Sequence, residues 1–289
     1  RLSFGCQSYN EFLNTNQGVN MRLLSWLRKR FRRSGVIAII RLEGVIATGG
    51  RLGGGINDQT MAPLIDKAFD LGKLKAIALI INSPGGSPSQ SSLLAARIIR
   101  LSNEKNVPVY AFCEDVAASG GYWLACSASE IFADENSIVG SIGVISAGFG
   151  FHEFISRQGV ERRIYTSGEE KSMLDPFRPE KKDEIARLKL IQKSIHQNFK
   201  DFVSLRRGEK IEGKKVFTGE FWEAERAREL GLIDGIGHLE PVLKEKYGPD
   251  IKFKKLDRKR GVFSRFGKAS VDGIIDGINE NTFFSRFRL

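Results

Sequence analysis

The run AIALIIN at residues 76–82 passes directly into SPGGSPSQS, and this junction limits the fold more than any other stretch of the chain. An apolar run of that length without alternation suits a strand covered on both faces, the burial pattern of a parallel sheet. A parallel strand needs a crossover, and SQSSLLAARIIRLSNEK at 89–105 has the pattern of a helix that could provide it. The alternation recurs on both sides. VIAIIRLEGVIA (36–47) reads as a strand, MAPLIDKAFDL (61–71) as a helix, VPVYAFC (107–113) as a strand and the small residues from about 118 as a helix. Strands are expected near 129–133 and 137–146, then a helix over FHEFISRQG and a strand over VERRIYTS. A longer helix is expected from Pro179, with Ile185, Leu188, Ile195, Phe199 and Phe202 along one stripe. Thr218 is placed to cap a helix over GEFWEAERAREL that stops at Gly231, and IKFKKL (251–256) reads as the last core strand. The order predicts an α/β fold with mainly parallel β-sheets and flanking helices.

The net charge of +11 suggests a nucleic-acid partner until its distribution is considered. Residues 22–33, RLLSWLRKRFRR, hold six basic and no acidic residues, and 252–268 hold eight basic and one acidic. Together they carry +13, which leaves the rest of the chain at −2. The body is near neutral, so no nucleic-acid partner is expected. Leu23, Leu24, Trp26, Leu27 and Phe31 among those cations suit an anionic membrane surface instead. No apolar run approaches the ~20 residues that span a bilayer. Met21 can serve as an initiator, which would make residues 1–20 a leader. At the other end, Val271, Ile274, Ile275 and Ile278 share one helical face, and FSRF occurs at 263–266 and again at 284–287. Residues 1–35 are thus expected to be a leader and basic amphipathic segment, 36–256 the folded domain and 257–289 a basic, aromatic tail. Cys6, Cys113 and Cys126 have no metal-like spacing, and the latter two sit in apolar surroundings that suit reduced, packed thiols. No metal and no cofactor is expected.

Two glycine-rich stretches carry the candidate chemistry. In EDVAASGGYWLACSA (114–128) almost nothing around Ser119 has bulk, so a backbone or ligand can come close. In SPGG, Gly85 and Gly86 follow a buried strand and precede a helix, where free N–H groups can stabilise an oxyanion. The GxxxxGK[ST] spacing of a phosphate loop is missing. Ser119 needs a base. His152, His196 and His238 lie in no motif that would aim them at it, so each reads as a surface or packing residue. Lys171, in YTSGEEKSMLDPFRP (165–179), can serve if its amine is neutral, although a lysine in a loop is ordinarily just solvated.

NSPGG, DVAASGGYWLA, ENSIVGSIGVI, SGEEKSMLDPF and FTGEFWEAERARELGLID resemble, in that order, the signal peptide peptidase A or protease IV family of bacterial serine–lysine peptidases. The resemblance covers roughly residues 36–240. It implies a Clp-protease/crotonase-like fold with Ser119 as nucleophile, Lys171 as general base and Ser141 orienting the lysine. Gly86 and Gly120 would supply the oxyanion N–H groups beside Gly85. It further implies a ring-like homo-oligomer in which Ser119 and Lys171 can meet between protomers, and apolar peptide substrates such as signal-peptide remnants. An extended substrate would pair with strands beside the groove, SIGVI among them. Family members commonly carry an N-terminal transmembrane anchor, and here 22–33 stands in its place. A peripheral position on the inner membrane follows, on the cytoplasmic face in preference to the other. A crotonase-type acyl-CoA enzyme and a non-catalytic scaffold of the same fold are the alternatives.

Overall fold

The structure, a computed structural model, describes residues 35–48, 55–257 and Phe287. The expected leader, the basic segment 22–33, Cys6, the apolar face at 271–278 and the tail motifs other than Phe287 lie outside those residues. Strand β1 (Val36–Glu43) is followed by α1 (Asp58–Phe69), β2 (Leu74–Ser83), α2 (Pro88–Lys105), β3 (Val109–Ala118) and α3 (Gly120–Ala125). Next come β4 (Glu130–Ala133), β5 (Ile138–Gly140), α4 (His152–Arg157) and the long α5 (Lys182–Arg207). The described chain closes with β6 (Phe221–Glu223), α6 (Ala224–Glu229), β7 (Gly235–Ile236), α7 (Leu239–Tyr247) and β8 (Lys252–Leu256).

The strands form one sheet in the order β6-β5-β3-β2-β1-β8, with β4 paired to β3 and β7 to β4. Only the β5–β6 pairing is antiparallel among the described strands. The continuous apolar runs now have their reason. Ile37 and Ile39 of β1 enter one core, Ala38, Ile40 and Leu42 the other, and β2 and β3 alternate likewise. Met61 and Ile65 of α1, Leu94 and Ile98 of α2, and Tyr122 of α3 fill the larger core. Leu243 of α7 packs on the opposite face with Ile251. Each such fully buried aliphatic side chain contributes about 1.5–3 kcal/mol. The inner helices are capped as their sequences allow. Asn57 accepts from Thr60 N–H at 2.9 Å, and Ser87 caps α2, with Pro88 at its first position.

Strand β3 serves two neighbours. Tyr110–Cys113 pairs with β4, whereas Val116–Ala118 pairs with β5. Between the halves its register with β2 shifts, and the Asn82 side chain fills the gap. Its amide donates to Asp115 at 2.7 Å and its oxygen accepts from Val116 N–H at 3.3 Å. The end of β3 is thereby tied to the end of β2, where the SPGG turn begins.

Several expected elements differ. The strand predicted over 137–146 stops at Gly140, because Gly140 (φ 111°) and Ser141 (φ 53°) leave the extended region. VERRIYTS is an exposed irregular segment without a strand partner among the described residues. The long helix begins at Lys182, not Pro179. Thr218 does not cap a helix: its hydroxyl donates to Glu220 at 2.8 Å, and β6 occupies the first part of the expected helix. Glu223 caps α6 instead, accepting from Arg226 N–H, and Gly231 at φ 76° follows the helix end as predicted.

Helix α5 is anchored by its C-terminal part. Phe199 and Phe202 stack on Trp123 with ring centroids at 4.6 and 5.3 Å, and Arg206 donates to the carbonyls of Cys126, Ser127 and Ala128 just after α3. Arg207 is buried and pairs with Asp234 at 2.8 Å. Burial opposes the charged form of Asp234, yet hydrogen bonds from Arg207 and Lys210 hold its carboxyl below the ordinary value. The N-terminal part of α5 and the preceding residues 143–181 form an arm with a largely exposed surface.

Candidate active site

Ser119 follows the last residue of β3 and precedes the first residue of α3 at φ 52° and ψ −120°, a conformation that non-glycine residues rarely adopt. Its N–H donates to Gly140 O at 2.8 Å, and its carbonyl accepts from Trp123 N–H at 3.0 Å. The strained turn is therefore held from β5 and from within α3. The half-buried side chain makes no hydrogen bond to a described residue, so Oγ is available.

The SPGG turn packs directly on this residue. A Cβ built on Gly85 would lie 2.8 Å from both Gly120 N and Ser119 Cβ. One on Gly120 would meet Ser91 Oγ at 2.5 Å, and one on Gly121 would meet Ser83 O at 2.5 Å. The small neighbours of Ser119 are thus required by the close approach of two backbones. Ile46 pins the turn from the other side: its N–H donates to Gly85 O at 2.8 Å and its carbonyl accepts from Ser87 N–H at 2.7 Å. This pairing skips Gly86, whose N–H has no described acceptor, and the N–H of Gly120 has none either. Helix α3 has only six residues, so its contribution here is the Gly120 N–H and not the macrodipole of a longer helix.

Ser141 lies one residue beyond the Gly140 carbonyl that binds Ser119, nearly fully buried, with its N–H donating to Glu220 O at 2.6 Å. The structure thus brings Ser119, Ser141, Gly85, Gly86 and Gly120 together. Lys171 is not joined to this group. It is exposed in the turn around 168–174, its N–H donates to Gly168 O at 3.3 Å, and no hydrogen bond joins it to Ser119 or Ser141 within the chain.

No histidine takes its place among the described residues. His238 pairs with Asp134 at 2.8 Å, His196 bonds the Ile142 carbonyl at 3.0 Å, and His152 opens α4. His196 is the contact that the sequence did not reveal, since its partner is 54 residues away. Burial pushes the thiols of Cys113 and Cys126 up to about 12, which disfavours the nucleophilic thiolate. Phe287 is buried against Val116, Ala118 and Ile138, with its ring 5.2 Å from that of Phe221.

Among the described residues the fold and site define an α/β protein with a glycine-built turn, two of its neighbouring N–H groups unengaged, packed against one serine. A sequence profile described as peptidase family S49 matches residues 102–247, and the chain belongs to that family. Among curated relatives, a Brucella abortus protein named Na(+)/H(+) antiporter NhaA is 47% identical over 231 residues, covering 79% of this chain and 31% of that protein. Protease 4 of Salmonella typhi is 31% identical across 72% of this chain and 34% of its own length. A putative signal peptide peptidase of Enterococcus faecium is 30% identical across 65% of this chain and 54% of its own. The chain therefore spans between about a third and about half of these relatives. No helix among the described residues is long and apolar enough to cross a membrane.

Proposed function

We propose that this chain is a serine endopeptidase in which Ser119 is the nucleophile, Lys171 of a neighbouring copy the general base, and Gly86 and Gly120 the oxyanion donors. The observation that carries the reading is the pair of unengaged N–H groups packed around a serine whose hydroxyl is also unengaged. In the proposed reaction Oγ adds to the scissile carbonyl as its proton passes to the neutral Lys171 amine. The new oxyanion is bound by Gly86 N–H and Gly120 N–H. Collapse expels the amine, which takes the proton from Lys171 and leaves an ester on Ser119. Water, deprotonated by Lys171, then attacks the ester, and Lys171 returns that proton to Ser119 Oγ as the acid leaves. Ser141 would accept from or donate to the lysine and fix its direction.

The placement of Lys171 supports sharing between copies. Its turn is tied to α5 at Glu184, whereas the Ser141–Ile142 segment is tied to the same helix at His196. Twelve residues of helix separate the anchors by about 18 Å, and a rigid helix does not close that gap. The arm that carries Lys171 also exposes Phe149 (80%), Phe154 (64%) and Tyr165 (91%), a large apolar surface suited to a second copy. The substrates proposed are extended apolar peptides, including signal-peptide remnants. They would pair with the segment that follows β5, where the chain passes from the buried Ile142 to the exposed Ile145 and Ser146. Residues 22–33 would hold the enzyme on an anionic inner-membrane surface, with the cytoplasmic face preferred. The antiporter name is not carried over, because the family matched within the chain is a peptidase family and the alignment covers less than a third of that protein.

The direct test is a serine-reactive fluorophosphonate together with an unfolded apolar peptide. The expected result is peptide cleavage and one adduct at Ser119, located by mass spectrometry. Absence of both would leave a scaffold, and turnover of a CoA thioester without peptide cleavage would favour an acyl-CoA enzyme. The oxyanion assignment makes its own prediction. A Cβ on Gly86 would lie 2.0 Å from the Ile46 carbonyl oxygen, at φ 138°. Gly86→Ala must therefore move the turn and its N–H, and kcat should fall by about 10²–10³-fold. Steady-state kinetics beside a thermal melt would separate this from unfolding.

A further inference from the structure

Glu184 is one of the few charged side chains buried in the described chain, with 7% of its surface exposed, yet it sits in the first turn of the otherwise solvated end of α5. An acid is favourable there next to free helical N–H groups, but that does not require burial. Its carboxylate instead reaches back across the loop and accepts from Leu174 N–H at 2.9 Å. The nearest cation, Lys181, stands 3.7 Å away on the exposed side. Leu174 is itself unusual, a bulky residue at φ 58°, so its conformation costs energy that a neighbour must offset.

The remaining bonds of this loop run within it or to Phe151 and Arg162 of the preceding segment, Phe151 N–H donating to Pro176 O at 2.6 Å. Lys171 N–H reaches Gly168 O, Met173 N–H reaches Glu170 O, and Asp175 N–H reaches Ser172 O, all at 3.2–3.3 Å. Arg178 donates to Ser172 Oγ at 2.7 Å, and Arg162 reaches Asp175 at 3.3 Å. These shape the loop but do not fix it to α5. The Glu184 carboxylate does, three residues after Lys171 and at a strained backbone position.

We propose that Glu184 is a positioning residue: by holding Leu174 N–H it locks the turn that presents Lys171, and α5 then carries that turn as a rigid unit. The inference rests on the reading of Lys171 as the base and adds the group that sets its direction. A base displaced by about 1 Å can lose about 10²-fold in rate. The role needs an acceptor and not a charge, which gives it a distinct signature. Glu184→Gln keeps a side-chain oxygen for Leu174 N–H, whereas Glu184→Ala removes it.

The experiment compares wild type, Glu184→Ala, Glu184→Gln and Ser119→Ala in the full chain. It measures kcat and KM on an apolar peptide, amide hydrogen exchange at Leu174, and the melting temperature. Glu184→Ala should lower kcat by about 10–100-fold with KM within about threefold, and Leu174 should lose protection. Glu184→Gln should retain at least about a third of the wild-type kcat and keep Leu174 protected. The proposal is overturned if Glu184→Ala keeps wild-type kcat, if Glu184→Gln is as impaired as Glu184→Ala at an unchanged melting temperature, or if the loss appears only in KM. Failure of the peptidase reading looks different, because Ser119→Ala would then be as active as wild type.

Discussion

Replacing Ser119 by alanine should lower peptide hydrolysis by about 10⁴-fold or more, and Lys171→Ala should do so by a comparable factor. The expectation follows from the lack of a substitute. His196 is engaged with the Ile142 carbonyl and His238 with Asp134, and neither bonds Ser119. Without the Lys171 amine, the Ser119 proton has no acceptor other than water. Because nucleophile and base act in one step, the double variant should be no slower than the slower single variant. Both variants should fold. Ser119 Oγ supports no described hydrogen bond and alanine meets the same backbone strain, while Lys171 is exposed. A melting temperature close to wild type with activity near background would therefore locate the loss in the chemistry. Full activity in either single variant would remove the serine–lysine assignment.

What the sequence revealed and what it hid divide along a physical line. SPGG and ASGG were legible because each is a contiguous turn whose glycines answer to a local need. The contact between them, Gly85 against Ser119 and Gly120, depends on β2 and β3 being neighbours, which the buried apolar runs already implied. The α/β class was legible for the same reason. SIGVI and VERRIYTS have strand composition, but strand formation needs a partner. Gly140 and Ser141 turn the chain out of the sheet after the three residues of β5, before SIGVI can extend it, and VERRIYTS has no neighbour to pair with among the described residues. Thr218 does not cap a helix because the antiparallel pairing of β6 with β5 outweighs a local cap. The contacts that fix α5, namely Glu184 to Leu174, His196 to Ile142, Arg206 to the end of α3 and Arg207 to Asp234, join residues 10 to 80 apart in sequence. No local pattern announces such pairs.

Mixing two inactive variants should restore activity. If Ser119 of one copy uses Lys171 of the next around a closed ring, a site between a Lys171→Ala protomer and a correctly ordered Ser119→Ala neighbour contains both wild-type groups. Random assembly of equal amounts places that combination at about one site in four, so co-expressed variants should reach about a quarter of the wild-type rate per site. Each variant alone should remain near background, and mixing without subunit exchange should give nothing. A dyad confined to one chain predicts no recovery under any condition, because every site would lack one of its two groups. The recovered activity should also depend on the arm. A charge placed at Phe149 or Tyr165, now among the most exposed apolar positions, should weaken assembly and abolish recovery while leaving the core of each protomer folded. Recovery lost together with assembly would tie the chemistry to the ring, and recovery that persists in monomers would exclude a shared site.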